Sequence, residues 1–286
     1  MEPLRSDFMD DLSRTVERLR KIEPEETSAP QDQTWLARLP ELDQVLAAAS
    51  GRARSRARDI VAAHLDRVPA SPLIGSVSVF RALGFRRDEV SHTQSLAWLL
   101  DPQQDHGFGD ALLRRFVGAV TCDGDVELER LRAFILDRVT TRARATAEYS
   151  LSATCRADVI VEGHEPGAEC WSLVVEAKID ASERKNQLAE LLATAPHPHR
   201  LGVFLSVDGA HGTTADHAWA RLSYRTWSRH LIAAVPDLAG TRGLPFLRMY
   251  ITGLLEDVCR MRCGGSVDEL LAWNNPFELE QLLGEQ

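Results

Sequence analysis

Apolar positions recur along this chain with two periods, and the change from one to the other marks its organisation. From Glu2 to Lys21, the residues Leu4, Phe8, Leu12, Val16 and Leu19 stand near helical spacing, which predicts an amphipathic helix packing on its own domain. Glu23–Gln33 (EPEETSAPQDQ) has the composition of a linker. Two further helices are predicted over Trp35–Ala49 and Ala53–Val68, and Pro69–Pro72 marks a boundary. Residues 1–70 therefore read as a helical extension and 71–286 as the main domain. After the boundary, Val77–Leu83 leads into a helix over Asp88–Leu100, capped by Asp88 and stopped by Asp101-Pro102. His106-Gly-Phe-Gly109 reads as a tight loop before a helix over Asp110–Val120, and Glu127–Asp137 is also helical.

The period then shortens to two. Arg138–Leu151, Cys155–Gly163 and Trp171–Ile179 read as three strands, the last two joined as a hairpin. A helix over Arg184–Ala195 follows, then a buried strand at Leu201–Val207 and another strand at Ala220–Tyr224. Helices are predicted over Trp227–Val235, Leu244–Met261 and Val267–Leu283. The fold class is α/β, with a mixed sheet of about five strands flanked by helices.

The strands at Cys155–Gly163 and Trp171–Ile179 raise the first chemical question. Alternation puts Glu176 and Lys178 on one face of their strand. If Asp158 lies opposite Glu176, the hairpin turns at Gly167, directly after Pro166, where a turn signal stands. Two carboxylates and an ammonium then converge. Adjacent carboxylates repel, and burial makes each costlier unless a cation joins them. A cross-strand ion pair on a half-exposed sheet is the plain alternative for so short a pattern. Three features favour a functional site. Leu173–Ala177 is apolar apart from Glu176, as in a strand covered on both faces. The chain has only three lysines (Lys21, Lys178, Lys185) and uses arginine elsewhere, so a compact point charge is specified here. Asp158 also arrives from a separate strand in register.

Asp158 followed by Glu176-Ala177-Lys178 after strand, turn and strand resembles the signature of the PD-(D/E)XK nuclease superfamily, the restriction-endonuclease-like phosphodiesterases. Gln187 on the next helix matches a glutamine of many members. Two positions depart from the pattern: Ala157 replaces the proline, and Leu191 stands where an aromatic is frequent. Upstream, Glu89-Val-Ser-His92-Thr-Gln-Ser-Leu-Ala-Trp-Leu-Leu-Asp101-Pro102, then His106-Gly-Phe-Gly109, resembles a block found in a bacterial branch. The similarity runs from about Val79 to Tyr224. It implies a restriction-endonuclease-like mixed β-sheet core flanked by helices, with an N-terminal helical extension. It also implies metal-dependent hydrolysis of nucleic acid, DNA ahead of RNA. Asp158, Glu176 and the Ala177 carbonyl would bind one or two divalent ions, and Glu89 would complete the set; all-oxygen ligation favours Mg²⁺ or Mn²⁺. Lys178 would orient water or stabilise developing charge, and Gln187 would position water or backbone nearby. His92 and His106 are accessory candidates; the plainer reading makes His92 a satisfied core histidine, and His106 either reaches the site or locks its loop.

Composition bounds the rest. No apolar run approaches the roughly 18 residues of a membrane span, and MEPLRSDFMDD is too acidic for a signal peptide. Five scattered cysteines suggest reduced thiols and a cytoplasmic protein. The net charge of −9 alone argues against a nucleic-acid partner. Local fields matter more than totals, and arginines collect at Arg52, Arg54, Arg56 and Arg58 and at Arg138, Arg142, Arg144 and Arg156. Phosphate-loop, zinc-helix and nucleophile-elbow motifs are absent. His197-Pro-His199 and the His211/His217 pair have no carboxylate or cysteine at ligand spacing and read as surface residues. Two other classes stay open: a nuclease-fold protein that binds nucleic acid or a partner without cutting, and a defence or toxin-type component activated by a partner. A homo-oligomer or a defence-system partner fits either.

Overall fold

Eight residues from Trp171 to Lys178 form the strand on which the rest of the domain is hung, and seven of them are buried. A computed structural model of the chain describes residues 39–286, apart from 153–154, 165–166, 168, 181–186, 211–218 and 285–286. The predicted Glu2–Lys21 helix and Glu23–Gln33 linker lie outside the described residues. The chain divides into two compact units, Met1–Asp59 and Ile60–Gln286.

The first described element is a single helix, α1 (Leu39–Arg67). The sequence suggested two helices on either side of Gly51. A lone glycine inside a helix costs only about 1 kcal/mol relative to alanine, too little to interrupt so long a helical run. There follow α2 (Val79–Leu83), α3 (Glu89–Leu100), α4 (Ala111–Ala119) and α5 (Val126–Arg138). Asp88 caps α3, its carboxylate accepting the Ser91 N–H at 2.9 Å. Asp101-Pro102 ends it as expected.

Strands β1 (Arg144–Ser150), β2 (Arg156–Gly163), β3 (Trp171–Lys178), β4 (His199–Ser206) and β5 (Trp219–Ser223) form one sheet in that order. The first three pair antiparallel, whereas β3, β4 and β5 run parallel. The β2–β3 turn includes Gly167 at φ 82°, a left-handed conformation that glycine adopts without penalty. Two other glycines serve packing. Gly163 faces Trp171 and Gly202 faces Trp219 across their ladders, and a Cβ on either would run into the indole at 2.1 or 2.7 Å. Each large ring thus lies over the bare backbone of its partner.

Helix α3 packs across β1, β2 and β3. On the opposite face lies α6 (Gln187–Thr194), whose Leu188 and Leu191 join Ile160, Val174, Phe204 and Trp219 in one buried cluster. The chain closes with α7 (Tyr224–Ala234), α8 (Leu244–Gly253) running into a π-turn at Leu254–Val258, α9 (Val267–Trp273) and α10 (Pro276–Leu283). One continuous helix was expected over Val267–Leu283. It breaks at Asn274-Asn275 because Pro276 has no N–H to continue the ladder, and Asn275 caps the new start. Among the described residues no helix is long and apolar enough to cross a membrane. The architecture is a restriction-endonuclease-like α/β fold.

Candidate active site

The β2–β3 register decides which side chains meet. Ile160 lies opposite Val174 and Val159 opposite Val175, so the next step along the ladder sets Asp158 opposite Glu176. Val174 belongs to the cluster under α6, and Glu176, two residues on, lies on that same face. Gln187, the first residue of α6, therefore reaches it, its Nε2 donating to Glu176 Oε1 at 2.6 Å. The Lys178 ammonium lies 2.6 Å from that same oxygen, 3.6 Å from Glu89 Oε1 and 3.8 Å from Asp158 Oδ2. Glu89 comes from the first turn of α3, and its other oxygen accepts the N–H of Ile179 at 2.9 Å. Asp158 Oδ2 accepts the N–H of Ala177 at 2.8 Å. Three carboxylates from β2, β3 and α3 thus surround one lysine.

Among the described residues the formal charge does not balance. Three carboxyl groups stand against one ammonium, in a site where Glu176 is wholly buried. Burial first, then the neighbouring Asp158 carboxylate, push the Glu176 acid up to about 7. Burial raises Asp158 as well, opposed by Lys178 and by the Ala177 N–H. Desolvation pulls the Lys178 ammonium down, but Glu176, Asp158 and Glu89 outweigh it and hold the group above its ordinary range. Glu176 Oε2 is buried and meets no hydrogen-bond partner among the described residues. A buried carboxylate oxygen unpartnered among the described residues, beside a second carboxylate and with too little positive charge among those residues, fits a divalent cation.

The two histidines lie elsewhere. His92 is buried against the Phe80 ring, with 3.8 Å between centroids, and its Nε2 contacts the Arg86 carbonyl oxygen at 3.0 Å. His106 is fully buried and locks its own loop: Nδ1 accepts the Phe108 N–H, and Nε2 contacts the Asp101 carbonyl oxygen. Neither has a polar contact with the carboxylates, and both serve packing.

Two neighbours escaped the sequence reading. Glu148 falls level with Asp158 across the β1–β2 ladder and takes a left-handed φ of 53°. Its charge adds to the field that raises Asp158, and its partner is Arg156 at 2.8 Å. A non-glycine residue in that conformation is uncommon and concentrates at functional sites. Arg87 grips the chain just past Lys178: it donates to the Ile179 carbonyl, pairs with Asp180 at 2.6 Å, and reaches the Asp257 carbonyl of the π-turn at 2.7 Å. Its position ahead of Glu89 was the only available signal. One reading needs correcting: His197 is no isolated surface residue, since its Nε2 lies 3.2 Å from Glu162 Oε1. His211 and His217 lie outside the described residues.

A family model described as the PD-(D/E)XK nuclease superfamily matches residues 77–235, more than half of the chain and all of the elements that carry this site. No curated protein matches. Among solved structures, the MspJI restriction endonuclease in complex with a 27-mer oligonucleotide is similar at 16% identity, with a TM-score of 0.18. That match covers 68% of this chain, which spans only 39% of the other.

Proposed function

Because the chain belongs to the PD-(D/E)XK nuclease superfamily, we propose that it hydrolyses phosphodiester bonds of nucleic acid, DNA ahead of RNA, at the Asp158–Glu176–Lys178 cluster. The observation that carries this reading is the buried Glu176 Oε2, unpartnered among the described residues and level with Asp158 on the adjacent strand. Asp158, Glu176, the Ala177 carbonyl and Glu89 are the residues that would hold a divalent ion, and their oxygen donors select Mg²⁺ or Mn²⁺. Such an ion supplies Lewis-acid polarisation of the phosphate and a more acidic water.

The chain's own groups divide the remaining work. Lys178 stays protonated at neutral pH, because the surrounding carboxylates hold its ammonium above the ordinary range. It therefore acts as a fixed positive charge beside the phosphate and not as a base. Gln187 fixes Glu176 by its Oε1 and so leaves Oε2 for a ligand. Glu89 and Asp158 are each tied to a main-chain N–H of the β3 end, which holds their spacing. Arg142, Arg144 and Arg156 are exposed around β1 and offer a basic approach for a phosphate backbone.

The test is cleavage of single- and double-stranded DNA and RNA with Mg²⁺, with Mn²⁺ and with EDTA, for the native chain and for Asp158→Asn. Metal-dependent cleavage that disappears in the variant is expected, together with loss of metal-induced thermal stabilisation. Full activity in Asp158→Asn would end the assignment.

A further inference from the structure

A second set of donors lies at the other end of the β2–β3 hairpin. Glu162 is four residues beyond Asp158 on β2, about 13 Å away at the rise of a strand. His164 follows in the turn, and His197 comes from the loop between α6 and β4. Glu162 Oε1 is 3.2 Å from His197 Nε2 and 3.9 Å from His164 Nε2. One ligand atom from each of the three residues lies within 4.8 Å of the other two. The rings of His164 and His197 stand edge to face, with centroids 4.7 Å apart.

Local structure holds the residues there. Ser172 is the cross-strand partner of Glu162, and its hydroxyl donates to the Pro196 carbonyl at 2.5 Å. That bond draws the Pro196-His197-Pro198 segment over Glu162. His197 takes a left-handed φ of 71°, a conformation that a non-glycine residue keeps only where neighbours impose it. The remaining nitrogen of His164, Nδ1, lies 3.5 Å from Cys170 Sγ. That contact orients the ring with Nε2 turned towards Glu162.

We propose that Glu162, His164 and His197 form a transition-metal site that takes Zn²⁺ and ties the β2–β3 turn to the α6–β4 loop. Two imidazoles and one carboxylate suit Zn²⁺, where the all-oxygen set at the other end of the hairpin suits Mg²⁺. Zinc bonds of about 2.0–2.1 Å in tetrahedral array place neighbouring ligand atoms roughly 3.3 Å apart. The observed separations of 3.2 and 3.9 Å approach that value already. The His164 side chain is 58% exposed and those of Glu162 and His197 about a fifth, so an ion enters from solvent and a fourth position stays open to water. This site stands whether or not the chain cuts nucleic acid.

The experiment titrates Zn²⁺ by calorimetry into protein carrying Asp158→Asn, so that the other carboxylate cluster is disabled, with excess Mg²⁺ present throughout. Co²⁺ in place of Zn²⁺ adds a visible-band readout of tetrahedral ligation. Expected are one equivalent of bound Zn²⁺ and a rise in melting temperature. Both weaken at least ~10-fold in affinity when Glu162→Gln or His197→Ala is added. His164→Ala, in the exposed turn, replaces His197→Ala if that variant does not fold. Stoichiometric binding unchanged by these substitutions, or no Zn²⁺ bound, would overturn the proposal.

Discussion

Replacing Glu176 by Gln removes a charge that the fold bears at its own expense. The side chain is wholly buried, one oxygen is without a partner among the described residues, and burial followed by the Asp158 carboxylate moves the acid from 4.5 to about 7. Between those two values the folded chain holds a proton that the unfolded chain has released. Stability therefore falls as the pH climbs from 4.5 to 7; the penalty is complete above that window and absent below it. At about 1.4 kcal/mol per pH unit the gap is on the order of 3 kcal/mol. Glutamine keeps an oxygen for Lys178 and Gln187 and leaves an amide nitrogen where the orphaned oxygen was, so one unpaired polar atom is exchanged for another. The expected outcome is a metal-free Glu176→Gln protein more stable than wild type by about 1–3 kcal/mol at pH 8 and nearly equal to it at pH 4. Urea unfolding in EDTA at both pH values measures this. Equal or lower stability at pH 8, or a gain that ignores pH, would refute the charge argument. Mn²⁺ should then raise the midpoint of the wild type and leave that of the variant unmoved.

Lys178→Arg keeps the charge but cannot place it where the ammonium sits, 2.6 Å from Glu176, because a guanidinium is planar and wider; single-turnover cleavage should slow by about 10²–10³ while metal binding persists. Wild-type rates would return Lys178 to the role of an ion-pair partner. Arg87→Met should cost about 1–3 kcal/mol in urea unfolding, since it strips donors from the Ile179 and Asp257 carbonyls, and cleavage should fall with it. Removing Met1–Gln33 should leave a cooperatively folding domain, because the compact unit Ile60–Gln286 contains the whole sheet; a broad, uncooperative melt would show that the first helix belongs to the core.

The parts of this fold that sequence revealed are those governed by local geometry. Hairpin register follows from where the turn can form, so Pro166-Gly167 was enough to set Asp158 opposite Glu176. Helix α3 was equally legible, because Asp88 and Asp101-Pro102 act on the residues beside them. The single long α1 was misread, since one glycine is a weak signal against twenty-eight helical neighbours. The break before α10 was readable from Asn275-Pro276 and was passed over. Distant pairings were out of reach. Glu148 comes level with Asp158 only through the β1–β2 register. Glu162 meets His197 across thirty-five residues because a hydroxyl on β3 holds the intervening loop.

The carboxylates of the candidate site are anchored by groups that the core itself keeps in place. Asp158 is held by the N–H of Ala177 and Glu89 by the N–H of Ile179, and both of those residues bury their side chains. Glu176 is held by Gln187, whose helix is packed down by Leu188 and Leu191. Relaxing the excess negative charge by spreading the acids apart would therefore unpair main-chain donors at the end of the most buried strand. Each such loss costs about 1–3 kcal/mol, comparable to the charge penalty it would relieve. The fold thus holds the three acids at fixed spacing through its own main-chain and side-chain donors, which is the preorganisation that electrostatic catalysis requires.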